Sequence, residues 1–160
     1  MQFKETEEHS MIREMVRNFA EEELAPSCLE RDKNQIAPIE EWKSFCEKTG
    51  LQGITIPEEY GGSPVDDISE SIIIKELARV DPSFSVMFCV HVGLCAKTIE
   101  IHGNEAQKKK YLSRLAGNEI GAYSLSEAGS GTDAASMICK AELSGDGSHY
   151  ILNGEKMWVT

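Results

Sequence analysis

The chain is short of positive charge: 16 lysines and arginines stand against 27 aspartates and glutamates, for a net charge of −11. That balance excludes a nucleic-acid partner, because phosphate binding needs a basic footprint. Long apolar runs are also lacking. The most apolar stretch, Phe84 to Ala96, falls below the roughly 20 residues that span a bilayer and contains His91, so a buried helix is expected there and no membrane span. No Cys/His cluster at ligand spacing is present, which excludes a metal centre of the zinc type and leaves His91 and His102 as structural or solvated side chains. Five cysteines (Cys28, Cys46, Cys89, Cys95, Cys139) form an odd set without a close pair, so reduced thiols are expected rather than a disulfide framework. The first eight residues, Met1 to Glu8, are too acidic for a transit peptide and too polar for a signal peptide, and any presequence is expected to be absent already. There is no internal repeat and no low-complexity tract.

What is present divides near residue 120 into helical and alternating regimes. Thr6 is placed to cap a helix whose apolar stripe is Met11, Ile12, Met15 and Phe19, with Leu24 beyond it and Pro26 as its end. A second helix starts near Pro38, sets Ile39, Trp42, Phe45 and Cys46 on one face, and stops at Gly50. Leu51 to Ile56 is expected to be short and extended. Asp67 opens a third helix through Ile72, Ile73 and Leu77, Asp81-Pro82 starts the central apolar helix, and Asn104 caps a last one carrying Tyr111, Leu112 and Leu115. The Lys108-Lys109-Lys110 run is expected on its solvated face. From Ile120 the period changes to two: strands are expected over 137–143 and 150–152 around a Ser144-Gly145-Asp146-Gly147 turn, with Asn153-Gly154 as a further hairpin signal. The fold class is therefore α+β, a helical domain over 1–120 followed by the opening strands of a β domain over 121–160.

The richest segment is Gly121-Ala122-Tyr123-Ser124-Leu125-Ser126-Glu127-Ala128-Gly129-Ser130-Gly131-Thr132-Asp133. Gly129 and Gly131 permit positive φ and close approach of a ligand to the backbone, while Ser126, Ser130 and Thr132 supply hydroxyls. The same composition suits a solvated surface turn equally well. Glu127 and Asp133 suggest an acid/base pair or, alternatively, carboxylates that hold the loop by accepting from backbone N–H groups.

The string Ser124 to Asp133 resembles the first signature of the acyl-CoA dehydrogenase family. Three further stretches are similar to the family in the same order: 11–20, Ile56-Pro57-Glu58-Glu59-Tyr60-Gly61-Gly62, and Leu152-Asn153-Gly154-Glu155-Lys156-Met157-Trp158-Val159-Thr160. The loop and the Glu76-Leu77-Ala78-Arg79-Val80-Asp81 stretch look most like short- or branched-chain members. This resemblance implies a β-barrel middle domain and a bound FAD contacted by Tyr123, Leu125, Ser126, Gly131, Thr132, Trp158, Val159 and Thr160. The Leu125 and Ser126 N–H groups and the Ser126 hydroxyl would face the pyrimidine edge, Trp158 the ring system, Thr160 the N5 end and Gly131-Thr132 the phosphate-bearing chain. Thr132 would also touch substrate. Glu127 and Asp133 would be structural rather than catalytic.

The implied reaction is α,β-dehydrogenation of an acyl-CoA thioester, with electron-transfer flavoprotein as acceptor, a homotetramer as the assembly, and the mitochondrial matrix or a bacterial cytoplasm as the compartment. The family's catalytic glutamate belongs to a later helical domain, so no catalytic residue is assigned within 1–160, and the acidic chain is poorly suited to hold CoA unaided. Taken alone, these 160 residues are expected to lack dehydrogenase activity. A non-catalytic interaction module and an acyl-CoA oxidase on the same scaffold are the alternatives.

Overall fold

In a computed structural model that describes residues 4–160, one compact unit ends at Gly121 and a second runs from Ala122 to Thr160. Of the acidic N-terminal stretch, Met1 to Phe3 lie outside the described residues. The first unit is built of α1 (Glu7–Phe19), α2 (Cys28–Asn34), α3 (Ile39–Thr49), α4 (Asp67–Ala78), α5 (Pro82–Cys89), α6 (Lys97–His102) and α7 (Glu105–Leu115). The second carries one antiparallel hairpin, β1 (Lys140–Leu143) with β2 (Tyr150–Asn153), in the register Lys140 to Asn153 and Leu143 to Tyr150.

Side-chain caps start the helices where the sequence supplies them. Thr6 and His9 form a reciprocal capping box on α1, Asn104 and Gln107 do the same on α7, and Asp81 accepts from the Phe84 N–H at 3.0 Å to open α5 with Pro82 in its first turn. Asp66 caps α4 by accepting from Ser69 N–H at 2.7 Å and also takes His9 Nε2 at 2.9 Å. The Ser69 N–H, then His9, hold its carboxyl down at about 2. A second tie between α1 and α4 is Glu76, buried and accepting from Arg13 at 2.6 Å and Arg17 at 3.1 Å. The bonds from Arg17 and then Arg13 hold its carboxyl below the ordinary range, so burial leaves it charged and partnered.

The core follows the helical period with one rotation from expectation. On α1 the buried residues are His9, Ile12, Val16 and Phe19, while Met11 is 64% exposed and Met15 is also on the outside. Anchoring His9 to Asp66 turns the helix so that the 9-12-16-19 line faces inward. Ile39 on α3 is likewise exposed, and Trp42 and Phe45 carry its inner face. The centre is aromatic: Phe45 lies 5.2 Å from Phe19, 5.5 Å from Phe84 and 5.6 Å from Phe88, each edge to face. A smaller cluster of Ile56, Tyr60, Ala96, Leu112, Leu115 and Ala116 sits beside it.

Four other expectations are corrected. Helix α2 lacks an apolar stripe and is not marked in the sequence; it ends at Gln35, which takes φ 56°. Leu51 to Ile56 is not extended: Leu51–Gly53 is a 3-10 turn, and the chain folds back so that Ser63 N–H donates to Gly53 and Val65 N–H to Ile54. The central helix is longer than its apolar run, continuing through α5, a π-helical segment Val90–Ala96 and α6 as 21 residues from Pro82 to His102. By length and composition it could cross a membrane, but Phe84, Phe88, Val92 and Ala96 are spent on the core. Asn153-Gly154 makes no hairpin; the strands are joined through 144–149, and Gly154, at φ 146°, packs against Cys139 where a Cβ would come within 2.7 Å. No disulfide joins any of the five cysteines.

His91 is structural, as expected, and its role is specific. It is fully buried against Trp42, with ring centres 4.7 Å apart. Gly121 N–H donates to Nδ1 at 2.9 Å, so the proton sits on Nε2, 3.1 Å from the Gln52 carbonyl. Burial pushes the imidazole down to about 4, against the opposing effect of its bond to the Gln52 carbonyl. Unfolding frees it to titrate near its ordinary 6.5, so the unfolded chain binds the extra proton first as pH falls. Stability should therefore be full above about pH 6.5 and decline by roughly 3 kcal/mol towards pH 4. Urea midpoints between pH 7.5 and 4.5 measure this, and His91→Phe should flatten that part of the profile. A wild-type curve unchanged between pH 6.5 and 4.5 would contradict it.

Candidate functional site

The Tyr123–Asp133 loop contains no regular strand, contrary to the alternating pattern that begins at Ile120. Its one ladder-like feature is a reciprocal pair, Glu127 N–H to Ser130 O at 3.0 Å and Ser130 N–H to Glu127 O at 3.1 Å. Ser130 Oγ then donates to the Asp133 carbonyl at 2.8 Å, and Asp133 Oδ1 accepts from Ala135 N–H at 3.2 Å. These bonds close the turn without a left-handed glycine: neither Gly129 nor Gly131 has positive φ, and a Cβ on either would meet nothing within 4 Å. The glycines thus leave open space on the loop surface rather than a strained bend.

Glu127 is the loop's internal anchor. Its buried carboxylate accepts from Ile138 N–H at 2.8 Å, Cys139 N–H at 3.1 Å and Lys156 Nζ at 2.8 Å. Lys156, then the Ile138 N–H, hold its carboxyl below the ordinary range. Capture of the Ile138 and Cys139 N–H groups explains why the strand expected from Met137 starts only at Lys140: those donors are committed to a side chain. Glu127 and Asp133 both accept from backbone N–H groups, the structural reading of these carboxylates.

The second nominated segment is tied to the first. Met157 N–H donates to Ser126 O at 2.9 Å, and Lys156 Nζ donates to Leu125 O at 2.9 Å. Among the described residues, no acceptor engages the backbone N–H of Leu125 or Ser126. Those two donors and the Ser126 hydroxyl form a set that suits the acceptor edge of a planar heterocycle. Tyr123 is half-buried, and Gly131, Thr132, Val159 and Thr160 are exposed. Trp158 stands 85% exposed at φ 58°, a conformation unusual for a large side chain. Lys156 is a residue of the site outside the expected contacts. Its signal was available, as the only cation in the 152–160 stretch and a match for the lone carboxylate in the middle of the loop.

Helices first and a hairpin afterwards, with two loop segments hydrogen-bonded to each other in the second unit, define the class as α+β. A family model described as "Acyl-CoA dehydrogenase, N-terminal domain" matches residues 6–119. The short-chain-specific acyl-CoA dehydrogenase of Clostridium acetobutylicum is 42% identical over 161 residues, covering 100% of this chain and 42% of the relative. Mitochondrial isovaleryl-CoA dehydrogenase of Bos taurus is 39% identical over 156 residues, covering 96% of this chain and 36% of the relative. The crystal structure of an acyl-CoA dehydrogenase from Bacillus anthracis complexed with FAD superposes with a TM-score of 0.90 at 37% identity, covering 98% of this chain and 27% of that one. The chain belongs to the acyl-CoA dehydrogenase family. It spans about two fifths of the length of the curated relatives it matches, corresponding to their N-terminal part.

Proposed function

We propose that residues 1–160 supply the helical domain and the first flavin-contacting segments of an acyl-CoA dehydrogenase, which oxidises the α,β bond of an acyl-CoA thioester. Bound FAD would supply the two-electron acceptor for the β-hydrogen as the α-proton leaves to a base. The observation that carries the reading is the Ser126–Met157 bond, which joins the 123–132 loop to the 158–160 segment and leaves the Leu125 and Ser126 N–H groups unclaimed.

This chain's own contributions follow from its donors. The two N–H groups and the Ser126 hydroxyl bind and orient the pyrimidine edge, where negative charge grows on reduction. Gly131 gives the phosphate-bearing chain close approach, and Thr132 donates there and to the substrate. Trp158 covers the ring system, with Val159 and the Thr160 hydroxyl beside it, and Tyr123 borders the loop. No base is assigned among these residues. The family resemblance supports electron-transfer flavoprotein as the oxidant of the reduced enzyme and a homotetramer as the assembly. The bacterial and the mitochondrial relative support a bacterial cytoplasm and a mitochondrial matrix respectively.

Anaerobic titration of the FAD-loaded holoenzyme containing these residues with butyryl-CoA and isovaleryl-CoA tests the reading: the visible flavin absorbance should bleach. Ser126→Ala removes one hydrogen bond worth about 0.5–1.5 kcal/mol. FAD should stay bound while reduction slows. A wild-type holoenzyme that retains no FAD would sink the assignment.

A further inference from the structure

We infer that Lys156 is a positioning residue for the flavin: by gripping the Leu125 carbonyl it aims and polarises the peptide whose N–H belongs to Ser126. The inference rests on the cofactor reading above and adds to it a residue that does not itself touch the cofactor.

A trans peptide is planar, and its C=O and N–H point in opposite directions. The Leu125–Ser126 peptide is trans, as are all those described. Lys156 Nζ, 2.9 Å from Leu125 O, therefore sits behind a unit whose other end is the unclaimed Ser126 N–H. An ammonium on a carbonyl makes a charge-assisted bond. It also draws electron density along the peptide and makes the opposite N–H a stronger donor. The following peptide is held as well, its carbonyl by Met157 N–H at 2.9 Å and its N–H by Ser130 O at 3.0 Å. Rotation of the Ser126 N–H thus means breaking one of three bonds.

The counter-charge is arranged to leave Lys156 effective. Glu127 accepts from Lys156 at 2.8 Å but divides its charge with the Ile138 and Cys139 N–H groups. A simple ion pair would hold the loop without this division and without the bond to Leu125. Lys156 is half-buried, so the field it sets up at the peptide is only partly screened by water.

The midpoint potential of the FAD-loaded holoenzyme discriminates the two roles, since a merely structural lysine would leave it alone. Lys156→Met should keep FAD but weaken the preference for the reduced over the oxidised form on the order of tenfold, a fall of about 30 mV for a two-electron couple. Lys156→Arg should recover most of that shift. Glu127→Gln, which unbalances the lysine, should move the potential upward and keeps the test alive if Lys156→Met fails to fold. An unchanged potential in Lys156→Met, or shifts of the same sign in Lys156→Met and Glu127→Gln, overturns the inference. Wild-type holoenzyme without FAD instead overturns the cofactor reading, and this inference with it.

Discussion

Phe45→Ala is expected to destabilise the helical unit by about 3–5 kcal/mol, the cost of emptying a large aromatic site. Phe45 is fully buried and touches Phe19, Phe84 and Phe88 edge to face, so α1 and α5 lose the same partner at once. Neighbours can close little of the void, because Trp42 and Phe84 are themselves fully buried and held by other rings. Leu29→Ala, at an exposed position on α2, is the control and should stay within about 0.5 kcal/mol of wild type. Urea unfolding followed by far-UV circular dichroism reads both. A loss below 1 kcal/mol for Phe45→Ala would mean that the aromatic cluster is not the centre of this core.

Gly131→Val should abolish FAD retention in the holoenzyme while leaving the fold intact. The two effects separate because of local geometry: Gly131 has no positive φ, and a Cβ built on it meets nothing within 4 Å. A β-branched residue is therefore tolerated by the chain itself, and its bulk falls in the space proposed for the phosphate-bearing part of the cofactor. Thermal melting should shift by no more than a few degrees, whereas the flavin should be lost on gel filtration. A Gly131→Val holoenzyme that elutes fully yellow with normal turnover would make the loop an ordinary surface turn.

Much of the helical unit was legible because its signals are local. Caps at Thr6, Asp81 and Asn104 and the stop at Gly50 depend on one side chain and its own helix, and each appears where the sequence places it. The misplacements arise from distant partners. His9, reaching Asp66, sets which face of α1 is buried, and a pattern that scores only apolar residues cannot register a buried histidine. Glu127, capturing two N–H groups eleven and twelve residues away, delays β1. Trp158 looks like a strand residue by type, but its backbone is left-handed. At the candidate site the loop was visible as a motif. The lysine that braces it carries only a charge-match signal in the sequence, towards Glu127; its bond to the Leu125 carbonyl, 31 residues away, shows only in the fold.

The π-helical turn at Val90–Ala96 bears on which changes of chain length this region can accept. Phe84, Phe88, Val92 and Ala96 are buried at intervals of four. On an α-helix four residues turn through about 400°, so such a line would slip about 40° per step and leave the core within three steps. The wider turn takes up that slip. Deleting one residue between 90 and 96 would restore ordinary winding and leave α6 close to its present orientation, because the lost residue and the lost width of the turn offset each other. Along this stretch of the gene, loss of a single codon can be absorbed by the winding, whereas the same loss in the α-helical turns of α5 would rotate the rest of the helix by about 100°. In the exposed turn between the two strands, a lost or gained codon changes only the turn.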